Sequence, residues 1–358
     1  MIKKLSCFLC VLLLSGCWDE RQYKDFALAS MVGHDGQAND LISYFSIPII
    51  IGEEVSSIIV KGEGRSTREV RIHANSNTPQ NLDVSKLSVL LYSDETLKTD
   101  FYQFLDVYFR TAHNRLSTLV GMTEGSTKPY IEIGNSENKD AGTYYDDFIK
   151  GLANSSIYPE TDLQTICTIL FDDGMDLTLP YFHINEEENT PKTLGVALFT
   201  GRIYSGTYLN VNQARLLTIL KDEIGRYTDI TYTYEGIPVS IEVKRVNRKW
   251  DFKQLDRSGK VTMSYDLIVD VQEFSADRLE DEKERKELEK YLSKRLQEDT
   301  IEMIEVLQQT KSDPIGIGRR VRAFHPKVWE KGKWADIFSE LTIDVKYDVQ
   351  IKRTGILF

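Results

Sequence analysis

Apolar and polar positions alternate most regularly in the last third of the chain. From Val261 to Val271 every odd position is apolar and every even one except Ile268 is polar. Leu341, Ile343, Val345, Tyr347, Val349 and Ile351 keep the same alternation without a break. A period of two gives a strand one buried and one wet face, which is the antiparallel habit. Val239, Ile241 and Val243 alternate too, and the slip of phase at Lys244-Arg245 predicts a β-bulge. One element must cover the buried face, and residues 277–311 supply it, about 35 residues or roughly 50 Å of helix. Its first half, Asp277 to Lys290, is nearly all charge, with Asp281/Arg285 and Glu282/Lys286 four apart, and reads as a solvated face. Leu288, Leu292, Leu296, Met303, Ile304 and Leu307 make the second half apolar, and Asp313-Pro314 stops it.

Upstream, Phe26 to Val32 and Leu41 to Ile51 read as strands around the turn-rich stretch from His34 to Asp40. Leu87 to Tyr92 is a buried-strand run. Ser93 or Asp94 can cap a helix carrying Leu97, Phe101, Phe104, Leu105, Tyr108 and Phe109 on one face, and Leu116 to Val120 returns as a strand. Composition turns to Gly, Ser, Asn, Lys and Asp between Glu124 and Thr143, which sets a boundary near Asp140. Two short helices, 143–153 and 161–171, and a strand from Leu177 to Ile184 follow. The acidic run Asn185 to Asn189 with Pro191 closes that unit near 192. The fold class is therefore α+β in three successive mixed domains. They span 17–140, 141–192 and 193–358, the last a mainly antiparallel sheet packed with one long helix.

The start of the chain changes the picture. Lys3 and Lys4 precede ten mostly apolar residues, Leu5 to Leu14, the charged start and short greasy run of a secretory signal. The run is too short to span a bilayer, which needs ~20 helical residues. Leu14-Ser15-Gly16-Cys17 resembles the bacterial lipobox. On that resemblance Leu14, Ser15 and Gly16 are read by the lipoprotein signal peptidase, residues 1–16 are removed, and Cys17 carries diacylglycerol. Two acyl chains anchor a protein stably where one does so only marginally. Formal net charge is -11, and loss of Lys3 and Lys4 with the signal takes the mature chain to -13. That sign argues against nucleic acid as a partner and against a broad electrostatic grip on anionic lipid headgroups. Cys7 and Cys10 leave with the signal and Cys17 is acylated, so Cys167 has no disulfide partner and reads as a buried structural thiol.

The search for chemistry returns little. The five histidines (His34, His73, His113, His183, His325) lack metal-ligand spacing. Gly134-Asn135-Ser136-Glu137-Asn138 has the wrong last residue for a nucleophile elbow. Gly62-Glu63-Gly64-Arg65-Ser66 and Gly316-Ile317-Gly318-Arg319-Arg320 are glycine turns beside arginines, without the strand, loop and helix order of a phosphate loop. Asp172, Asp173 and Asp176 lack the alternating ligands of a calcium loop. No catalytic residue, metal site or cofactor is expected.

Several segments together resemble the Ger(x)C family, the lipoprotein C subunits of bacterial spore nutrient germinant receptors. They are Cys17-Trp18-Asp19-Glu20-Arg21, Gly33-His34-Asp35, the run Leu194 to Gly201 with Gly206 and Leu216-Leu217, and a closing segment. That segment holds Leu307-Gln308, Asp313 to Gly318, Trp329, Trp334 and Lys352-Arg353-Thr354-Gly355. The departure lies in Asp83-Val84-Ser85-Lys86, where members commonly carry a histidine before the strand. The resemblance implies three α+β domains and a non-catalytic subunit on the outer surface of the spore's inner membrane. It implies two integral partners, one permease-like and one multi-spanning, and a part in nutrient-triggered germination. Two other classes compete. A solute-binding lipoprotein of an importer calls for βα-alternating lobes, and the period-two patterns run against it. A tethered hydrolase calls for an acid, base or nucleophile set that the sequence does not display.

Overall fold

The computed structural model describes residues 23–354 except 53, 136–138 and 277–278. A single 3₁₀ turn, Tyr23–Asp25, leads into β1 (Phe26–Leu28), β2 (Met31–Gln37), β3 (Asp40–Ile51), β4 (Glu54–Gly64), β5 (Asn81–Asp83), β6 (Val89–Ser93) and β7 (Leu119–Thr123). Then come β8 (Thr178–Asn185), β9 (Thr190–Thr200) and β10 (Ile203–Asn210). One sheet takes eight of them in the order β10-β9-β8-β7-β6-β2-β3-β4, while β1 and β5 pair with each other. Its centre, β2, β6, β7 and β8, is parallel and its wings are antiparallel. Every residue of β6 and β7 is buried, as parallel strands covered on both faces require. Leu90, Tyr92, Val120 and Met122 share a core with the helices Tyr102–Arg110 and Leu163–Leu170. Val89, Leu91 and Leu119 share the other with Lys128–Gly134 and Ala141–Asn154.

The expected boundaries near 140 and 192 both fall inside the span of this sheet. β8 hydrogen-bonds β7 across the first, and the acidic run Asn185 to Asn189 is the loop of the β8–β9 hairpin, not a linker between separate cores. The amphipathic helix after β6 is two pieces, Asp94–Leu97 capped by Ser93, and Tyr102–Arg110. The break comes where the Asp100 carboxylate accepts from Tyr102 N at 3.0 Å. β4 and the helix Thr67–Asn75 carry no clear period in sequence. Gly62, expected in a turn, is strand, and a Cβ there would collide with the Val70 carbonyl oxygen of the helix crossing it.

The second sheet holds β11 (Asp229–Tyr234), β12 (Ile237–Asp251), β13 (Lys260–Phe274) and β14 (Thr342–Arg353), in that order. The β12–β13 ladder slips between Val243 and Arg245, so the bulge read from the phase change is present. β14 joins β13 in parallel, unlike the two antiparallel pairings beside it. A parallel neighbour needs a crossover, and the helix Glu282–Gln309 provides it. It buries Leu288, Leu292, Leu296, Thr300, Met303, Ile304 and Leu307 on the sheet, and the Thr300 hydroxyl meets Tyr347 OH at 3.0 Å. Only one sheet face is covered, so β13 and β14 keep alternating burial although they run parallel. No described helix is long and apolar enough to cross a membrane.

Candidate functional site

Leu14, Ser15, Gly16 and Cys17 lie outside the described residues. The described sites gather where the two sheets meet. After the long helix, Thr310 to Asp313 pass beside the ends of β8 and β9. Thr200 Oγ1 donates to the Thr310 carbonyl at 2.7 Å, and Ser312 Oγ donates to the Phe199 carbonyl at 2.6 Å. Asp176 N donates to the Asp313 carbonyl at 2.9 Å, and Asp313 N donates to the Asp176 carboxylate at 2.7 Å. Gly201 N, at 2.7 Å, is a second donor to that carboxylate.

The Asp313 side chain is fully buried and receives four donors. Gly316 N, Ile317 N, Gly318 N and Trp334 Nε1 lie at 2.9, 3.2, 2.8 and 2.9 Å. They are the free amides at the start of the helix Ile317–Phe324 and one indole, a ready anion site. The anion that Gly316 to Arg320 hold is thus the protein's own carboxylate. Gly316 takes φ +79°, and a Cβ on Gly318 would meet the Trp334 indole at 2.5 Å. Glycine is demanded at both. Burial pushes Asp313 up to about 6 while its N–H donors pull down, and burial raises Asp176 to about 6 against the same kind of opposition. On the rim, Asp172 takes Arg319 Nε at 2.5 Å and Arg322 Nη2 at 2.9 Å. Burial pushes it up, but the Gly174 amide and the two guanidiniums outweigh that and hold it below the usual range.

A cleft of about 780 Å³ opens over this seam between Phe171, Asp173, Arg202, Trp329, Lys333 and Trp334, the two tryptophan rings stacked 5.7 Å apart. Asp172, Asp176 and Asp313 are each engaged by internal donors, so these three carboxylates tie the two sheets together. Among the described residues no three His, Cys, Asp or Glu gather to hold a metal.

Gly33-His34-Asp35 also acquires a structural account. His34 is buried on β2 between Ser43 Oγ at 2.6 Å and Tyr108 OH at 2.9 Å, stacked on Tyr92, and burial pushes its pKa down to about 3. Asp35 accepts from Ser126 Oγ at 2.5 Å and Thr127 N at 2.9 Å, capping from a distance the helix Lys128–Gly134, whose own first residues supply no cap. A Cβ on Gly33 would collide with Thr127. The remaining histidines stay scattered. His73 accepts from Glu63 N, His113 is exposed, His183 is half-buried, and His325 lies 3.4 Å from Asp256. Gly134 and Asn135 end a helix, and 136–138 lie outside the described residues. Cys167 is half-buried rather than buried. Sequence reasoning missed the pairing of Asp176 with Asp313. The available signal was Asp313 itself, three and five positions before Gly316 and Gly318, but not the partner 137 positions away.

The family model described as spore germination protein N-terminal domain matches residues 19–184, and that described as spore germination B3/GerAC like, C-terminal, matches 194–355. Spore germination protein GerQC of Bacillus cereus is 22% identical over 348 residues, covering 96% of each chain. Spore germination protein KC of Bacillus subtilis (strain 168) is 24% identical over 393 residues, covering 97% of this chain and 94% of that one. The crystal structure of the GerBC protein superposes with a TM-score of 0.60 at 18% identity, covering 88% of this chain and 94% of that one. That likeness establishes the shared mixed α/β fold.

Proposed function

From the premise that this chain belongs to the GerAC-like family of spore germination proteins, we propose that it is the lipid-anchored, non-catalytic subunit of a nutrient germinant receptor. The carrying observation is the pair of family matches, which together run from residue 19 to 355. The relatives of near-full length are themselves named spore germination proteins. The sequence Leu14 to Cys17 supports the anchor, with diacylglycerol on Cys17 holding the chain to the outer surface of the spore's inner membrane. There it works beside a permease-like integral subunit and a second multi-spanning subunit. Tethering makes those contacts effectively intramolecular, so weak interfaces suffice. The internally satisfied carboxylates of the seam support a coupling body over an enzyme.

The experiment is an affinity pull-down of the tagged chain from gently solubilised inner membranes of dormant spores, read by mass spectrometry. A permease-like protein and a second multi-spanning protein are the expected companions. Importer components, or absence of the chain from spores, would overturn the reading in favour of a solute-binding lipoprotein.

A further inference from the structure

The two edges of the second sheet are finished differently. Along β14 the long helix Glu282–Gln309 closes part of the edge with its own side chains: Val349 N donates to Ser293 Oγ at 3.0 Å and Ile351 N to Glu289 Oε1 at 2.8 Å. β11 forms the opposite edge and pairs on one side only. Just before it begins, Val243 N donates to the Thr228 carbonyl at 2.9 Å, in continuation of the β11–β12 register. Bonded and non-bonded pairs alternate along an antiparallel ladder. Ile230, Tyr232 and Tyr234 therefore turn their N–H and C=O groups to β12, and Asp229, Thr231 and Thr233 turn theirs outward. Pro238, which has no N–H to give, lies opposite Thr233 as this phase requires. The outward carbonyl of Thr233 accepts from Tyr291 OH at 2.6 Å. Among the described residues, the N–H of Thr233 and both main-chain groups of Thr231 meet no partner.

Edge strands are normally blunted by a lysine, a proline or a bulge. After Asp229 the strand reads Ile230-Thr231-Tyr232-Thr233-Tyr234, β-branched and aromatic throughout, and its ladder with β12 runs without a slip. A groove of about 540 Å³ follows this edge, between Thr231 and Thr233 on one side and Tyr291, Lys294, Arg295 and Glu298 of the long helix on the other. The helical wall is basic at Lys294 and Arg295 and acidic one turn on, where Arg295 reaches Glu298 at 2.8 Å and Asp299 at 3.1 Å.

We infer that β11 is where a second copy of this chain docks, strand against strand and antiparallel, about a two-fold axis at Thr231. In that register Thr231 lies opposite its own copy and Asp229 opposite Thr233. The residues that meet are those whose main-chain groups point outward, so each N–H finds a carbonyl. The Thr233 carbonyl has a second lone pair and keeps its bond to Tyr291. An axis normal to the sheet leaves both long helices on one face and reverses one against the other. The basic end of each groove then meets the acidic end of its copy. This order of charges is complementary to itself, which selects a second copy over a foreign strand that would use the same main-chain bonds. The exposed hydroxyls of Thr231 and its copy also face each other, a favourable cross-strand pair. The two-fold closes the contact and leaves no edge at β11 for further growth.

The test uses the mature chain with Cys17→Ser and Cys167→Ser, so that one introduced cysteine is its only thiol, and diamide as oxidant. Cα atoms of a bonded antiparallel pair stand about 5.5 Å apart, within the reach of a disulfide. Position 229 is four residues out of register with its own copy, ~13 Å along the strand, and beyond that reach. Thr231→Cys should therefore link to itself about tenfold or more faster than Asp229→Cys or the control Phe324→Cys, an exposed site away from β11. Asp229→Cys mixed with Thr233→Cys should link as a pair. Thr231→Pro removes an N–H that β12 does not use, a place where an edge strand tolerates proline. By sedimentation equilibrium the parent should be a dimer and Thr231→Pro a monomer with the same far-UV circular dichroism. Equal linking at 231, 229 and 324 overturns the inference, as does a parent that stays monomeric without fast linking at 231. A dimer that survives Thr231→Pro with its fold intact also overturns it, because another surface then holds the copies. Should Thr231→Pro fail to fold, the pattern of linking decides alone. None of these readouts needs a lipid or a receptor partner, so their outcome is separate from that of the proposed function.

Discussion

Asp313→Ala removes the acceptor shared by Gly316 N, Ile317 N, Gly318 N and Trp334 Nε1, all within 3.2 Å in a fully buried site. A buried donor left without a partner costs about 1–3 kcal/mol. Four of them set a floor near 4 kcal/mol even if water enters the space and relieves part of the loss. Folded proteins have only about 5–15 kcal/mol in total, so the variant stands close to its limit. The damage concentrates at the seam, because the same turn carries the Asp313–Asp176 main-chain and side-chain bonds to the first sheet. The assay is urea unfolding of the mature chain. With a slope of about 2 kcal/mol per molar, the midpoint falls by roughly 2 M. Trp334→Phe removes one donor of the four and should cost about 1.5–3 kcal/mol, since the bond is to a charged group. Limited proteolysis should cut Asp313→Ala first near the seam. A loss below about 0.5 kcal/mol, the range of an ordinary surface change, would refute the idea that this carboxylate holds the two sheets together.

Asp176 has its folded pKa raised to about 6 by burial, so between about pH 4 and 6 the folded chain keeps a proton that the unfolded chain has released. Stability from this group is therefore full below about pH 4 and lost as pH rises through 6. Relative to wild type, Asp176→Asn should gain stability over that window in parallel urea titrations, and a pH-independent difference would count against the assignment. His34, lowered to about 3 by burial, behaves oppositely: its contribution is present above about pH 6.5 and is lost as pH falls toward 3. Its ring resonances should show no titration near pH 6.5 by NMR, and His34→Leu should cost about 1–3 kcal/mol for each of the stranded Ser43 and Tyr108 hydroxyls. Cys17→Ala should leave an uncleaved precursor without acyl label in cells fed labelled palmitate. Normal processing with label in that variant would refute the anchor.

What the sequence determined by itself was whatever is written in nearest neighbours. The alternation in β13 and β14, the bulge after Val243 and the apolar stripe from Leu288 to Leu307 each depend on side chains a few positions apart on one strand or helix, so period alone located them. The order of the family's segments is a property of the chain, and the family matches agree with it. Only the tertiary structure decided which strands pair. Alternating burial reports that one face is covered and is silent on the direction of the neighbour, so the parallel β13–β14 ladder was illegible. A polar loop looks alike whether it links two domains or closes a hairpin. The 185–189 run therefore marked a boundary in sequence while the ladder passed straight through it. Gly62 looked like a turn because what forbids its Cβ is Val70 on a helix crossing the strand. The Asp176–Asp313 seam joins residues 137 apart, and only the folded chain brings their donors and acceptors within bonding distance, where burial makes each of them costly to lose.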